Sequence, residues 1–453
     1  MRATELRGRE LHFIAIGGAG MSGLALVCHR LGAAVTGSDR AGSTYLDRLR
    51  DAGLEPRLGH DASAVPEGAE VVVSTAIPAD NPELAVARDR GQRVIHRGAL
   101  LAELCALGRL IAVAGTHGKT TTTGMLVHVL RELGADPAFF IGGELPGAGE
   151  GGGAANAGWG EGEWVVAEAD ESDASFLELR PEVAVVTNVE LDHHSRWSSR
   201  AELVEAFRRF AAPAAGVALL AGAELDAIAD GERAVRFDHE RPGPPLELEI
   251  PGAHNVLNAR AALAALELAG FDLAAAARAL ASFPGMLRRL ELKGRRAGAL
   301  VYDDYGHHPT EVAATIAALR ELGPQRLIAV FQPHLYSRTK ALAEAFGAAL
   351  AGADEVGVLD VYPAREEPVG PLAGISGLAV ARAAADRAAG RPVWWLRDAG
   401  TAERALAPRL ADGDILVTIG AGDVFRLADG LVRAGGSSIK PSPPDAEAGK
   451  ATA

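Results

Sequence analysis

The run Gly115-Thr116-His117-Gly118-Lys119-Thr120-Thr121 has the residue types that hold a phosphate chain. Glycines let successive backbone N–H groups turn toward an anion, and a helix starting at the turn adds its positive end. Lys119 can then reach the terminal phosphates, and the Thr120 hydroxyl can bind the Mg2+ that accompanies them. The spacing is G-x-x-G-K-T, tighter than the usual G-x-x-x-x-G-K-[ST], so the match is to a variant loop. A plain glycine turn is the bland alternative, and the strand–turn–helix context argues against it. An earlier run, Gly17-Gly18-Ala19-Gly20-Met21-Ser22-Gly23, has the pattern of a diphosphate-binding turn, and Asp39 ends the next strand, where a ribose-binding acid belongs. Such a turn does not say which nucleotide carries the diphosphate. A nicotinamide is one reading, which leaves the Lys119 loop unexplained; a purely structural strand–helix turn is another.

Carboxylates and imidazoles follow two later strands. Glu168, Asp170, Glu171 and Asp173 come after the strand at Trp164, and Thr187-Asn188-Val189-Glu190-Leu191-Asp192-His193-His194 after the strand at Val183. In a parallel sheet both strand ends open on the edge where the phosphate loop lies. Mg2+ takes oxygen ligands, so one carboxylate with the threonine hydroxyl and phosphate oxygens makes a plausible shell. Glu168 and His193 are the expected metal positions. Asp170, Glu171 and Asp173 read as helix-start residues favoured by the dipole, and His194 as a surface or packed histidine. Further on, Asp303-Asp304-Tyr305-Gly306-His307-His308-Pro309-Thr310-Glu311 closes a strand and opens a helix, with Pro309 near the first turn. Two acids and two histidines exceed what a cap requires. Arg288-Arg289 lies at an expected hinge, where an arginine can stabilise a transferring phosphoryl group or merely form a solvated pair.

Short β-branched runs alternate with Ala/Leu-rich helical stretches, the pattern of parallel sheets covered by helices. Strands are expected at 11–16, 34–37, 71–74, 93–96, 109–114, 164–167, 183–187, 300–302, 327–331, 355–359 and 415–418, with 146–162 a glycine-rich loop. The 453 residues make about three domains, with boundaries near 107 and 289; the Ser/Pro-rich stretch 436–453 reads as a disordered tail. Charge sums to 45 Lys+Arg against 59 Asp+Glu, a net −14 that disfavours a broad nucleic-acid-binding face. An anionic ligand must therefore be held by backbone N–H loops or single placed cations. Cys28 and Cys105 are the only cysteines, too few for a disulfide framework or a four-thiolate zinc site. With no signal-like start and no long uncharged apolar run, the chain reads as a soluble cytoplasmic protein without membrane insertion. Oligomeric state carries no signal here.

In order along the chain, IGGAGMSG, GSD, AGTHGKTTTT, AEADESDASF, TNVELDH, HNVLNA, RR, DDYGHHPTE, FQPH-YSRT, DVYPAREEP and GAGDV make it resemble the Mur ligase family over about residues 10–430. The resemblance implies an α/β fold of three domains: a Rossmann-like UDP-sugar domain (1–107), a P-loop-ATPase-like central domain with a parallel sheet (108–288), and a Rossmann-like C-terminal domain closing over ATP and the amino acid (289–435). It implies an ATP- and Mg2+-dependent amide ligase of peptidoglycan precursor synthesis. On this reading Gly17, Gly18, Gly20, Ser22 and Asp39 hold the UDP substrate, while Gly115 to Thr121 hold ATP with Asn255 and Asn258. By position Lys119 matches the phosphate lysine, Thr120 and Glu168 the magnesium ligands, His193 a second-metal histidine, and Arg289 and Asp304 the C-terminal pair completing the site.

Family members that add later stem-peptide residues resemble one another in using a carbamylated lysine of the central domain. No lysine lies between Lys119 and Lys293, so that device is absent. What remains is joining L-alanine, or in a recycling variant a whole tripeptide, to the carboxylate of UDP-N-acetylmuramate; DDYGHHPTE and VYPAREEP look more like the alanine-adding type. Departures from the family pattern are His194-Ser195-Arg196-Trp197, Leu335 where arginine is common, and a short stretch before His254. A nicotinamide oxidoreductase and a non-catalytic nucleotide-binding regulator are the competing classes.

Overall fold

Strands that are apolar on both faces have to be covered on both sides, and the computed structural model builds three such sheets. It describes residues 6–190, 197–223, 225–229, 231–364 and 366–435; the expected tail 436–453 falls outside them. The first sheet holds β1 (Glu10–Ile14), β2 (Ala34–Asp39), β3 (Arg57–Leu58), β4 (Glu70–Val73) and β5 (Val94–His96), in the order β3-β2-β1-β4-β5. All its pairs are parallel, and the order reverses beside β1, so a crevice opens where the first glycine turn begins.

The second sheet holds β6 (Arg109–Ala114), β7 (Ala138–Leu145), β8 (Ala155–Gly158), β9 (Trp164–Glu168), β10 (Val183–Val186), β11 (Gly216–Leu220) and β12 (Ala234–Phe237), ordered β12-β11-β10-β6-β9-β7-β8. Register decides what meets the phosphate loop: Val113 lies opposite Glu168 and Ala114 opposite Val186. The ends of β9 and β10 thus flank the turn that follows β6. The 146–162 stretch is not wholly loop as expected, because β8 pairs antiparallel with β7 inside it. Its Ala-Asn-Ala-Gly sequence lacks the branched residues that announce a strand, and Gly158 is instead admitted by a tight fit against the Phe139 ring, where a Cβ would come within 2.5 Å.

The chain divides into two units, Met1–Leu287 and Arg288–Ala453. In the first, one buried apolar cluster runs from Leu11 and Phe13 through Leu100 and Leu104 to Ala167, Val186 and Phe207, so the first two sheets share a core. The amphipathic helix Arg200–Ala211 seals it with Phe207 and Phe210, whose rings lie 5.4 and 5.3 Å from that of Phe176. The second unit holds β13 (Glu291–Arg296), β14 (Ala299–Asp304), β15 (Arg326–Phe331), β16 (Glu355–Leu359), β17 (Val393–Arg397) and β18 (Asp414–Ile419), ordered β13-β14-β18-β15-β16-β17 and parallel except for the β13–β14 hairpin. Among the described residues no helix is long and apolar enough to cross a membrane. Phe207→Ala is expected to cost about 3–5 kcal/mol through the cavity it leaves, seen as a lowered unfolding midpoint in calorimetry.

Candidate active site

Gly115 (φ 134°) and Gly118 (φ 82°) take backbone conformations that side chains rarely adopt, and neither has room for one. A Cβ on Gly115 would meet Thr187 Oγ1 at 2.0 Å, and one on Gly118 would meet Asn258 Oδ1 at 2.3 Å. Between them the loop is clamped by the segment after β10. Thr116 N donates to Asn188 O (3.2 Å) and His117 N to Asn188 Oδ1 (2.9 Å), while Asn188 Nδ2 returns a bond to His117 O (2.9 Å). The Thr116 hydroxyl donates to Glu190 O (3.0 Å) and accepts from Glu190 N (2.8 Å). The helix Lys119–Glu132 then begins with no side-chain cap, leaving its first N–H groups for an anion.

Lys119 is folded under this turn. Its Nζ donates to Gly115 O (2.6 Å), Thr116 O (3.2 Å) and Glu171 Oε1 (3.1 Å), with Glu171 Oε2 2.9 Å away but less well aligned. Burial works against the ammonium, yet the charges of Glu171, Asp170 and Glu168 outweigh it and hold its pKa above the usual lysine range. Beside it the Thr120 hydroxyl donates to Glu168 Oε1 (3.1 Å), and Glu168 Oε2 accepts from Gly142 N (2.7 Å). A hydroxyl and a carboxylate side by side at the mouth of a phosphate loop are hard oxygen donors of the kind Mg2+ takes. The helix Ala253–Leu268 brings Asn258 against Gly118 and links it to Asn255, Nδ2 to Oδ1, at 3.3 Å. Of the residues expected around nucleotide and metal, Gly115 to Thr121, Glu168, Asn255 and Asn258 gather here; His193, Asp192 and His194 lie outside the described residues.

The segment after β9 differs from expectation. Asp170, Glu171 and Asp173 do not open an α-helix; they lead into a short 3-10 turn, Ser175–Glu178, with Ala174 at its N-cap. Asp170 and Asp173 instead take Ser172 N and Ser175 N and both bond Arg97 Nη2, at 3.1 and 3.2 Å. Glu171 turns inward to Lys119, and its carbonyl accepts from Trp197 Nε1 at 3.1 Å. Arg97 also abuts the first glycine turn, 3.1 Å from where a Gly20 Cβ would stand. That turn is fixed by Asp39 Oδ2 accepting Gly17 N (2.9 Å) and by Asn156 Nδ2 donating to Ala19 O (2.6 Å); the helix Ala19–Arg30 starts at Gly18 with no side-chain cap. Ser22 is buried and its hydroxyl donates to Ala19 O. The residues that sequence reasoning passed over are Asn188, Glu171 and Arg97. Asn188 stood in plain view at a strand end, whereas nothing in the order of letters said which acid would seek which cation.

In the second unit the arginine pair separates. Arg288 is built into the fold: Nε donates to Asp303 Oδ2 (3.0 Å), Nη2 to Gly420 O (2.7 Å), and its guanidinium lies over the rings of Tyr305 and Phe425. Arg289 lies over Tyr305 at 5.1 Å, with Nη1 3.9 Å from Glu311 Oε1. Asp304 spends its oxygens on Leu290 N (2.8 Å), Gly306 N (2.8 Å) and the Thr315 hydroxyl (3.1 Å), which fixes the backbone that carries Arg289. His308 and Glu311 form a capping box for the helix Pro309–Glu321, absorbing part of the motif into local structure. Burial pushes His307 below the usual histidine range.

Family models match the chain as Mur ligase family, catalytic domain (residues 10–109), Mur ligase middle domain (113–230) and Mur ligase, glutamate ligase domain (288–422). A UDP-N-acetylmuramate–L-alanine ligase of Renibacterium salmoninarum is 44% identical over 460 residues, covering 94% of this chain and 96% of that protein. One of Kineococcus radiotolerans is 45% identical over 455 residues, covering 92% and 94%. The crystal structure of a UDP-N-acetylmuramate–alanine ligase from Thermotoga maritima superposes with a TM-score of 0.80 at 27% identity, over 94% of this chain and 98% of that one. A murein peptide ligase from Psychrobacter arcticus gives 0.67 at 25%, over 96% and 100%.

Gly118→Ala forces a Cβ into Asn258 and a side chain into a left-handed position. It is expected to cost about 1–3 kcal/mol of stability and to weaken ADP binding, read by calorimetric titration.

Proposed function

The chain belongs to the Mur ligase family, and from that premise we propose that it joins L-alanine to the carboxylate of UDP-N-acetylmuramate at the expense of ATP, in the cytoplasm, for peptidoglycan precursor synthesis. The observation that carries this reading is Lys119, set beneath an uncapped helix N-terminus with Thr120 and Glu168 beside it. A carboxylate is a poor acyl donor because its leaving group would be oxide. One of its oxygens therefore attacks the γ-phosphorus, the bond to the bridging oxygen of ADP breaks, and an acyl phosphate forms. The neutral amine of L-alanine then adds to the acyl carbon, and the tetrahedral adduct gives up a proton from its nitrogen to solvent and expels phosphate, leaving the amide.

Placement and charge neutralisation are what such a phosphoryl transfer needs from the protein. The open N–H groups from Gly118 onward receive the phosphate oxygens, and Lys119 offsets charge on the terminal phosphates. Arg289 is proposed as the cation for the transferring phosphoryl group and Asp304 as the residue that fixes its backbone. Thr120 and Glu168 would hold Mg2+, which when bound neutralises further phosphate charge, and His193 would hold a second metal. Asn255 and Asn258 are proposed to lie near the nucleotide, Asn258 being packed against Gly118 of the loop. Main-chain N–H groups of Gly17, Gly18 and Gly20 would take the UDP diphosphate, with Asp39 bracing the turn.

Lys119→Ala is expected to reduce phosphate release with UDP-N-acetylmuramate, ATP and L-alanine about 10²–10³-fold or more. Across a panel of single amino acids and the L-Ala-containing tripeptide, L-alanine is expected to support the fastest release. Faster release with the tripeptide would move the chain to the recycling type, and near-normal turnover in Lys119→Ala would remove the phosphate-loop assignment.

A further inference from the structure

An ammonium has three N–H donors, and those of Lys119 face four oxygens: Gly115 O, Thr116 O and both oxygens of Glu171. No donor remains for a phosphate, so a nucleotide phosphate that reaches Lys119 has to replace one of these acceptors. Two of them belong to the loop itself and are fixed. Gly115 is packed against Thr187, and Thr116 is tied through main chain and hydroxyl to Asn188 and Glu190. The third is a side chain on a segment with no helix or strand, and it carries the negative charge a phosphate can stand in for.

We infer that Glu171 is the positioning residue of the phosphate-binding lysine: its carboxylate holds the Lys119 ammonium at the base of the loop, and a nucleotide phosphate takes its place. The inference rests on the reading of Lys119 as a phosphate ligand. A purely structural role fits the site poorly. Glu171 is 2% exposed, and a buried ion pair adds little to stability against its own desolvation. Burial pushes the Glu171 carboxyl up, with Lys119 the foremost group opposing it. Meanwhile the Trp197 indole holds the Glu171 backbone, so the side chain can swing while its anchor stays put. Trp197 thereby gives the departure after His193 a use: it ties the end of that string to the acid that governs the lysine.

The exchange predicts an unusual sign. Glu171→Gln keeps the shape and an accepting oxygen but removes the competing charge, so ADP and a non-hydrolysable ATP analogue should bind about tenfold tighter to the full chain in the presence of a chelator. The KM for ATP should fall with the dissociation constant. A structural role would leave affinity unchanged or weaken it, and either result overturns the inference. Should Glu171→Gln fail to fold, Glu171→Asp draws the carboxylate back by one methylene and should tighten binding by about two- to fivefold; unchanged or weaker binding is again fatal. Lys119→Ala separates the two levels. If it binds ADP as well as the parent chain, the phosphate-loop reading itself is wrong; if it loses binding while Glu171→Gln gains none, only the role of Glu171 falls.

Discussion

An ammonium group buried in protein must have every donor met and its charge answered, and the arrangement around Lys119 follows from that demand. The loop that could cradle a phosphate has to curl its own carbonyls beneath the lysine, which requires glycine at 115 and 118. Those glycines leave a flexible turn, and the turn is stiffened from outside by Thr187, Asn188 and Glu190 at the end of the neighbouring strand. The sheet register is what puts that strand end, and the end bearing Glu168, on either side of the loop. Backbone pairing many residues away thus decides whether one cation is correctly placed.

The same demand explains the sign of the charge in this region. Glu168, Asp170, Glu171 and Asp173 surround the cations Lys119 and Arg97, so the described neighbourhood is richer in carboxylate than in cation. Such an excess is unfavourable for a bare triphosphate and favourable for one that arrives with a divalent cation, which is how an acidic chain can bind a highly charged anion without a basic face.

Much of this was legible beforehand. The apolar runs at 109–114 and 355–359 became strands residue for residue, because buried parallel strands admit little else. The hairpin of β7 and β8 was hidden: its glycines and alanines are chosen by close approach to neighbouring rings and side chains, a fact of packing that leaves no mark on local composition. At the site, residue types marked out a neighbourhood but not the partners within it. Ser22 turned its hydroxyl back onto its own helix, His117 gave its N–H to Asn188, and Asp304 bound main chain. Each follows from hydrogen-bond satisfaction in three dimensions, where the nearest orphan donor or acceptor wins.

The turn from Asp170 to Asp173 faces two ways, its outer acids gripping Arg97 beside the first glycine turn and its inner one gripping Lys119 beneath the second. A single inserted or deleted residue there would break this division, because the acids at 170 and 173 reach one cation and the acid at 171 the other only at their present spacing. Of the whole neighbourhood, this short stretch is therefore where the length of the chain, more than the identity of any side chain, is under the tightest constraint.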